Sequence, residues 1–230
     1  MLTLAHLISQ IRPLDESAMH QARHYVDGLF KPVGSLGRLE DLAVQLAGIY
    51  RTHDIQPGPK EIIVMAADHG VFDEGIAVTP REVTASQALN MTRGKTGVCA
   101  VAAACGVRVQ IVDIGIDCDP LPNVPSLKIA RGCANIAKGP AMSRTDAEQL
   151  LLASARYAMD QVASGIRVLG VGELGMGNTT PAAAMVSVMT GATPEQVVGL
   201  GANFPSDRLH HKVAVVRNAI AINRPVANDG

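Results

Sequence analysis

The chain has 230 residues, 47% of them apolar, and its 20 Lys and Arg against 21 Asp and Glu leave a formal net charge of −1. That balance gives no electrostatic footprint for nucleic acid or an anionic membrane surface, and no apolar run reaches the roughly 18 residues of a membrane span. Aromatics make up only 3% and Trp is absent, so a large core must come from Ala, Val, Leu, Ile and Met, which favours helix-on-sheet layers over an aromatic-rich β architecture.

The opening "MLTLAHLISQIRPLDES" has an early His, an Arg and an acidic pair and lacks a small-residue cleavage site, so it reads as mature, cytoplasmic protein. Residues 15–30 read as an amphipathic helix capped near Asp15, and a second helix follows a turn at Pro32 to Gly34, with Gly34 or Ser35 near its cap. His20 and His24 are spaced as two metal ligands could be, but no third ligand accompanies them and no metal site is expected.

From Glu61 the pattern changes. "EIIVMAADHG" is a short apolar run ending in polar residues and glycine, the look of a buried parallel strand. Residues 80–106 are helical with an interruption near Gly94, and "VRVQIVDIGID" is the next strand. An irregular stretch from Pro120 to Pro140 precedes a helix over 145–165, "IRVLGVGE" is a third strand, and helices follow over 179–191 and 206–223. The spacing predicts an α/β fold in which residues 62–67, 107–113 and 166–171 are parallel neighbours in one sheet flanked by helices. Cys99 and Cys105 fall in an alanine-rich helical stretch, the setting of reduced, buried thiols, and no CxxC spacing occurs.

Ligands of such sheets bind at the carboxyl ends of the strands. Three ends carry polar groups here: Asp68-His69-Gly70, Asp113 to Asp117, and Gly172-Glu173 onward. An Asp after a strand also serves as a cap or turn residue, and both readings stay open for Asp113 and Asp117. The third end, "GVGELGMGNTTPAAA" over 170–184, matches the dinucleotide fingerprint literally. The fingerprint belongs to a first βα turn, with an acid about 20 residues on at the end of the next strand, and neither condition is met. Asn178 or Thr179 can instead cap a helix whose first turn holds Pro181, while Gly175 and Gly177 let backbone N–H groups approach a phosphate. Glu173 would repel a bare phosphate but suits a sugar hydroxyl or a nitrogen base beside it. The chemistry points to a phosphorylated sugar bearing a base; the plain alternative is a capped helix after a tight turn.

"KPVGSLGRLEDLAVQLAG" (31–48), "AADHGVFDEGIAVTPREVT" (66–84) and "GVGELGMGNTTPAAA" together resemble the nicotinate-nucleotide:dimethylbenzimidazole phosphoribosyltransferases. The resemblance spans the chain. It implies transfer of phosphoribose from nicotinate mononucleotide to 5,6-dimethylbenzimidazole with no metal or other cofactor. It also implies a homodimer and a Rossmann-like large domain, with a small domain made from both chain ends. Residues 1–58 would be helices of that small domain and 59–230 the large domain. Thr79 and Gln87 match positions lining the benzimidazole pocket, with Thr79 where relatives often carry Ser. Leu174, Gly175, Asn178 and Thr179 match the phosphate and ribose loop, to which Gly177 is added, and Gly201 and Lys212 match positions near the phosphate. Without the resemblance, Lys212 reads as a solvated helix charge. The family's catalytic base is a glutamate in a Gly-Glu-Gly type motif near the C-terminus, and the 230 residues stop at "NRPVANDG" before it. Glu173 is therefore expected only as a supporting group, and the chain as it stands is expected to turn over poorly. Competing readings are a chain that binds nucleotide or base without turnover and, through the literal glycine pattern, an NAD-dependent oxidoreductase.

Overall fold

Short apolar runs separated by helical stretches have few ways to bury themselves other than as adjacent parallel strands under helices. In the computed structural model, which describes residues 3–229, the chain divides into two units, residues 1–58 and 59–230.

The first unit is helical. α1 (Leu4–Ser9) starts at Thr3, whose hydroxyl accepts from the His6 N–H. α2 (Glu16–Asp27) is capped by Asp15, whose carboxylate accepts from the Ala18 N–H at 2.9 Å, and it closes at Gly28. α3 (Arg38–Tyr50) begins three positions later than a cap at Gly34 would place it, with Gly37 at the N-cap. The reason is a run of turns. Ser35 bonds back to Pro32, Gly37 to Gly34, both glycines take positive φ, and Glu40 accepts from the Leu36 N–H and the Lys31 ammonium. Ala22, Val44 and Ala47 of α2 and α3 form the core between these helices.

The second unit holds the sheet. β1 (Lys60–Ala67) pairs in parallel with β2 (Val107–Gly115) on one side and with β3 (Val168–Leu174) on the other. β3 starts later than the apolar run suggests, because the Ile166 N–H still bonds to Gln161 and the chain joins the sheet only at Val168. α4 (Val83–Thr92) and α5 (Gly97–Ala104) are separated at Gly94, whose φ is +71°. Ala85, Ala88 and Met91 of α4 pack on Ile62, Val64, Ala66, Val109 and Ile111, one face of the sheet. On the opposite face Arg108 bonds to buried Glu61 and reaches Gln161 of α6 (Arg144–Ala163). α7 (Thr179–Thr190), α8 (Pro194–Val197) and α9 (Leu209–Asn223) close the unit around Ala183, Val198 and Val216. Of the two thiols expected to be buried, Cys99 is, but Cys105 caps the end of α5 and is exposed. No helix among the described residues is long and apolar enough to cross a membrane.

The glycines of the literal fingerprint find their explanation here. Gly170 and Gly172 lie inside β3, not in a turn. A Cβ at Gly170 would stand 3.0 Å from Ile62 Cγ1, and one at Gly172 would stand 3.4 Å from Val64 Cγ2. At Gly170 the missing side chain makes room for Ile62 of β1, while the contact at Gly172 is an ordinary one, so the first glycine of the pattern records packing between strands. No strand follows α7 among the described residues to carry a ribose-binding acid.

Asp113, at the end of β2, is fully buried. Its Oδ1 accepts from the N–H groups of Gly115 and Ile116, and its Oδ2 lies 2.7 Å from the Lys128 ammonium. Lys128 also donates to the carbonyls of Ile116 and Cys118, tying the irregular stretch after β2 to the strand end. Asp113→Asn removes the charge partner of a largely buried lysine and should cost about 3–5 kcal/mol. Urea unfolding monitored by circular dichroism checks it; a loss below about 1 kcal/mol would show the pair to be solvated.

Candidate active site

All three strands run the same way, so Asp68, Asp113 and Glu173 reach one rim. They do different work there. Asp113 holds its turn, and Asp68 is buried with Oδ2 accepting from the Asp117 N–H at 2.9 Å. Asp117 thus enters through its backbone, while its carboxylate lies 3.9 Å from Arg81. Glu173, the single acid of β3, remains exposed. His69 follows β1 with its Nδ1 3.7 Å from Cys133 Sγ, and burial pushes its pKa down, which keeps the imidazole neutral near pH 7.

A cavity of about 170 Å³ opens between the end of β3, the start of α7 and α9. Its lining includes Thr79, Glu173, Leu174, Gly175, Gly177, Asn178, Thr179 and Lys212, with Ile76, Met176, Leu200 and Phe204 as apolar walls. Gly201 abuts it, because a Cβ there would stand 3.0 Å from Thr179 Oγ1 and 3.3 Å from Lys212 Nζ. Gln87 is not among the lining residues. It sits half-buried on α4, whereas Thr79 lies in the loop before that helix.

The loop from β3 to α7 is shaped by two glycines with separate duties. A Cβ at Gly175 would lie 2.3 Å from the Ala67 carbonyl oxygen, so this residue lets the loop rest on the backbone at the end of β1. Gly177 has φ +83°, the left-handed region. Asn178 occupies the N-cap of α7 but its side chain makes no capping bond, in contrast to the capping role read from sequence. Thr179 does not cap either; its hydroxyl accepts from Lys212. The helix start is therefore open, and among the described residues the N–H groups of Gly177 and Thr179 meet no acceptor.

Lys212 departs most from its reading as a solvated charge. It projects from α9 into the protein at 1% exposure, its Nζ 2.7 Å from Thr179 Oγ1 and 5.7 Å from the Phe204 ring centroid. No carboxylate among the described residues lies within ion-pair distance of it. Burial lowers its pKa from the ordinary lysine value. A buried ammonium with one neutral hydrogen-bond partner is costly unless an anion completes it, and it stands beside a helix start whose partial charge is also positive. The arrangement is built for an anion.

Phe204, Met176 and Ile76 were not foreseen. They form the apolar half of the cavity, and only the rarity of phenylalanine in this chain, three in all, marks Phe204 in the sequence. Thr84 also went unread: it is fully buried, and its hydroxyl accepts from the Met176 N–H at 3.1 Å. No group of three or more His, Cys, Asp or Glu side chains among the described residues is placed to hold a metal ion.

Residues 11–230 match the family described as phosphoribosyltransferase (DBI_PRT). The chain is 61% identical over 230 residues to the nicotinate-nucleotide--dimethylbenzimidazole phosphoribosyltransferase of Yersinia enterocolitica, covering all of this chain and 65% of that protein. It is 57% identical over 231 residues to the protein of the same name from Salmonella paratyphi B, again covering all of this chain and 65% of that protein. The crystal structure of CobT from Thermus thermophilus superimposes with a TM-score of 0.87 at 36% identity, covering 93% of this chain and 64% of that one. The chain thus spans about 65% of the length of the curated relatives it matches.

Lys212→Met keeps the length of the side chain and removes its charge. Loss of a charged hydrogen bond, about 1.5–3 kcal/mol, should weaken binding of inorganic phosphate roughly 13- to 160-fold, while the melting temperature of the unliganded protein holds or rises. In the unaltered protein, phosphate affinity should fall as pH rises through the Lys212 pKa, and should do so below the pH at which an exposed lysine loses its proton. Calorimetric titrations across the alkaline range check both.

Proposed function

The chain belongs to the phosphoribosyltransferase family, and on that footing we propose that the protein transfers the 5-phosphoribosyl group of nicotinate mononucleotide to 5,6-dimethylbenzimidazole. The observation that carries the proposal is the buried Lys212, which has no carboxylate partner among the described residues and is bonded to Thr179 at the open start of α7. A phosphate ester seated there is held by the ammonium and by the free N–H groups of Gly177 and Thr179, next to Gly201. Glu173 lines the same cavity at the end of β3, and in this reading it accepts from ribose hydroxyls. Glu173 is a supporting group in this reading. Thr79 and the apolar walls face the base, and Gln87 of α4 is assigned to its polar edge.

The chemistry is a displacement at C1′. A ring nitrogen of the benzimidazole forms a bond to C1′ as the bond to nicotinate breaks, and the electron pair leaves with the nicotinate nitrogen. The proton on the other benzimidazole nitrogen must be released to a base. The products are α-ribazole 5′-phosphate and nicotinate. Fixing the phosphate fixes C1′, because the sugar is short and stiff, and this positioning is worth more than any single polar contact. The homodimeric, cytoplasmic setting implied by the family resemblance belongs to the same proposal.

Incubating the protein with nicotinate mononucleotide and dimethylbenzimidazole and following α-ribazole 5′-phosphate by mass spectrometry tests the reading. Product formation at a low rate is expected and supports the reading; tight binding of both ligands with no product would leave a binding protein instead. Gln87→Ala should weaken dimethylbenzimidazole binding by roughly 2- to 13-fold, the range for one neutral hydrogen bond. Unchanged base affinity by calorimetry would remove Gln87 from the base site.

A further inference from the structure

The loop that the proposed nucleotide sits on is held from outside the cavity. Its side-chain-to-backbone tether is Thr84, in the first turn of α4, whose Oγ1 accepts from the Met176 N–H at 3.1 Å. Thr84 has no exposed surface. Its neighbours Ala85 and Ala88 are locked against β1 in the core, so α4 is a fixed reference for the hydroxyl. Met176 lies between the two glycines of the loop. Gly175 rests on the Ala67 carbonyl, and Gly177 turns through a left-handed conformation into α7. The Asn178 N–H closes the loop on the Gly175 carbonyl and the Gly177 carbonyl accepts from Thr180, so the loop turns as a unit whose orientation depends on where the Met176 amide is held.

We infer that Thr84 is a positioning residue for the phosphate loop: its buried hydroxyl sets the orientation of the Gly177 and Thr179 N–H groups through the amide of Met176. The same helix carries Gln87 one turn later. Thr84 therefore also ties the phosphate loop to the element assigned to the base, so that the two substrates are referred to one rigid frame. Thr84 touches neither substrate. The inference rests on the proposed nucleotide site, and it gives a role to the last residue of the 66–84 motif, which the motif alone does not reveal: a threonine in a helix is read as an ordinary surface or core position unless its acceptor role is seen.

The alternative is that Thr84 merely fills space. Thr84→Val preserves the shape, removes the acceptor and leaves the Met176 N–H without its partner, whereas Thr84→Ser keeps the hydroxyl. Three readings separate the cases. In the unaltered protein, amide exchange at Met176 is expected to be as slow as in β1; exchange as fast as in exposed loops overturns the inference without any variant. Thr84→Val is expected to bind nicotinate mononucleotide roughly 2- to 13-fold more weakly and to exchange faster across residues 175–179, with β1 exchange unchanged. Thr84→Ser is expected to restore both. A folded Thr84→Val with unaltered affinity and loop exchange overturns the inference, as does a Ser variant no better than Val. If the unaltered protein fails to bind nicotinate mononucleotide at all, the proposed function falls, while the exchange measurements still decide the role of Thr84.

Discussion

The parallel ladder on both sides of β1 is the constraint from which the rest follows. Parallel pairing sends every carboxyl end to one rim, so residues far apart in the chain, Asp68, Asp113 and Glu173, meet without any loop having to bring them together. The same ladder favours a small residue at Gly170, because Ile62 of the central strand stands where a side chain there would press. It also sets the floor of the loop from β3 to α7, since Gly175 lies directly on the last carbonyl of β1. Packing and site are thus cut from one piece of geometry.

Within that frame the rim divides its charges by task. Asp113 is spent on the N–H groups of Gly115 and Ile116 and on Lys128, which neutralises it locally, and Asp68 holds its turn through the Asp117 N–H alone, with its other oxygen buried and without a hydrogen-bond partner among the described residues. The cation at the cavity is left without such a partner. A buried ammonium with no carboxylate partner among the described residues, beside a helix start that already favours negative charge, is an arrangement suited to an anion.

What was legible in the sequence was the part written in period and punctuation. Apolar runs ending in polar residues marked the three strands, Gly94 marked the break between α4 and α5, and the quoted motifs identified the loop from Leu174 to Thr179. Boundaries slipped where tertiary bonds outweighed local pattern, as at Gly37, where successive turns delay α3, and at Val168, where Ile166 stays bonded to the preceding helix. The roles of individual side chains were least legible. Lys212 looks like any helix lysine until its burial is known, Thr84 shows its bonding partner only in three dimensions, and Asn178 holds a capping position without capping. Each depends on what lies opposite, information that a linear pattern does not contain.

Gly175 carries a consequence for how this stretch of chain responds to variation. Because any side chain there meets the Ala67 carbonyl rather than a ligand, its replacement displaces the loop before substrate arrives. A mutational scan scored by activity would rank the position beside Lys212 and Thr179, yet the defect would be mechanical, transmitted from the edge of a strand. Scored by abundance and by activity in parallel, the two kinds of position part company, and sensitivity to substitution ceases to be a map of what touches the substrate.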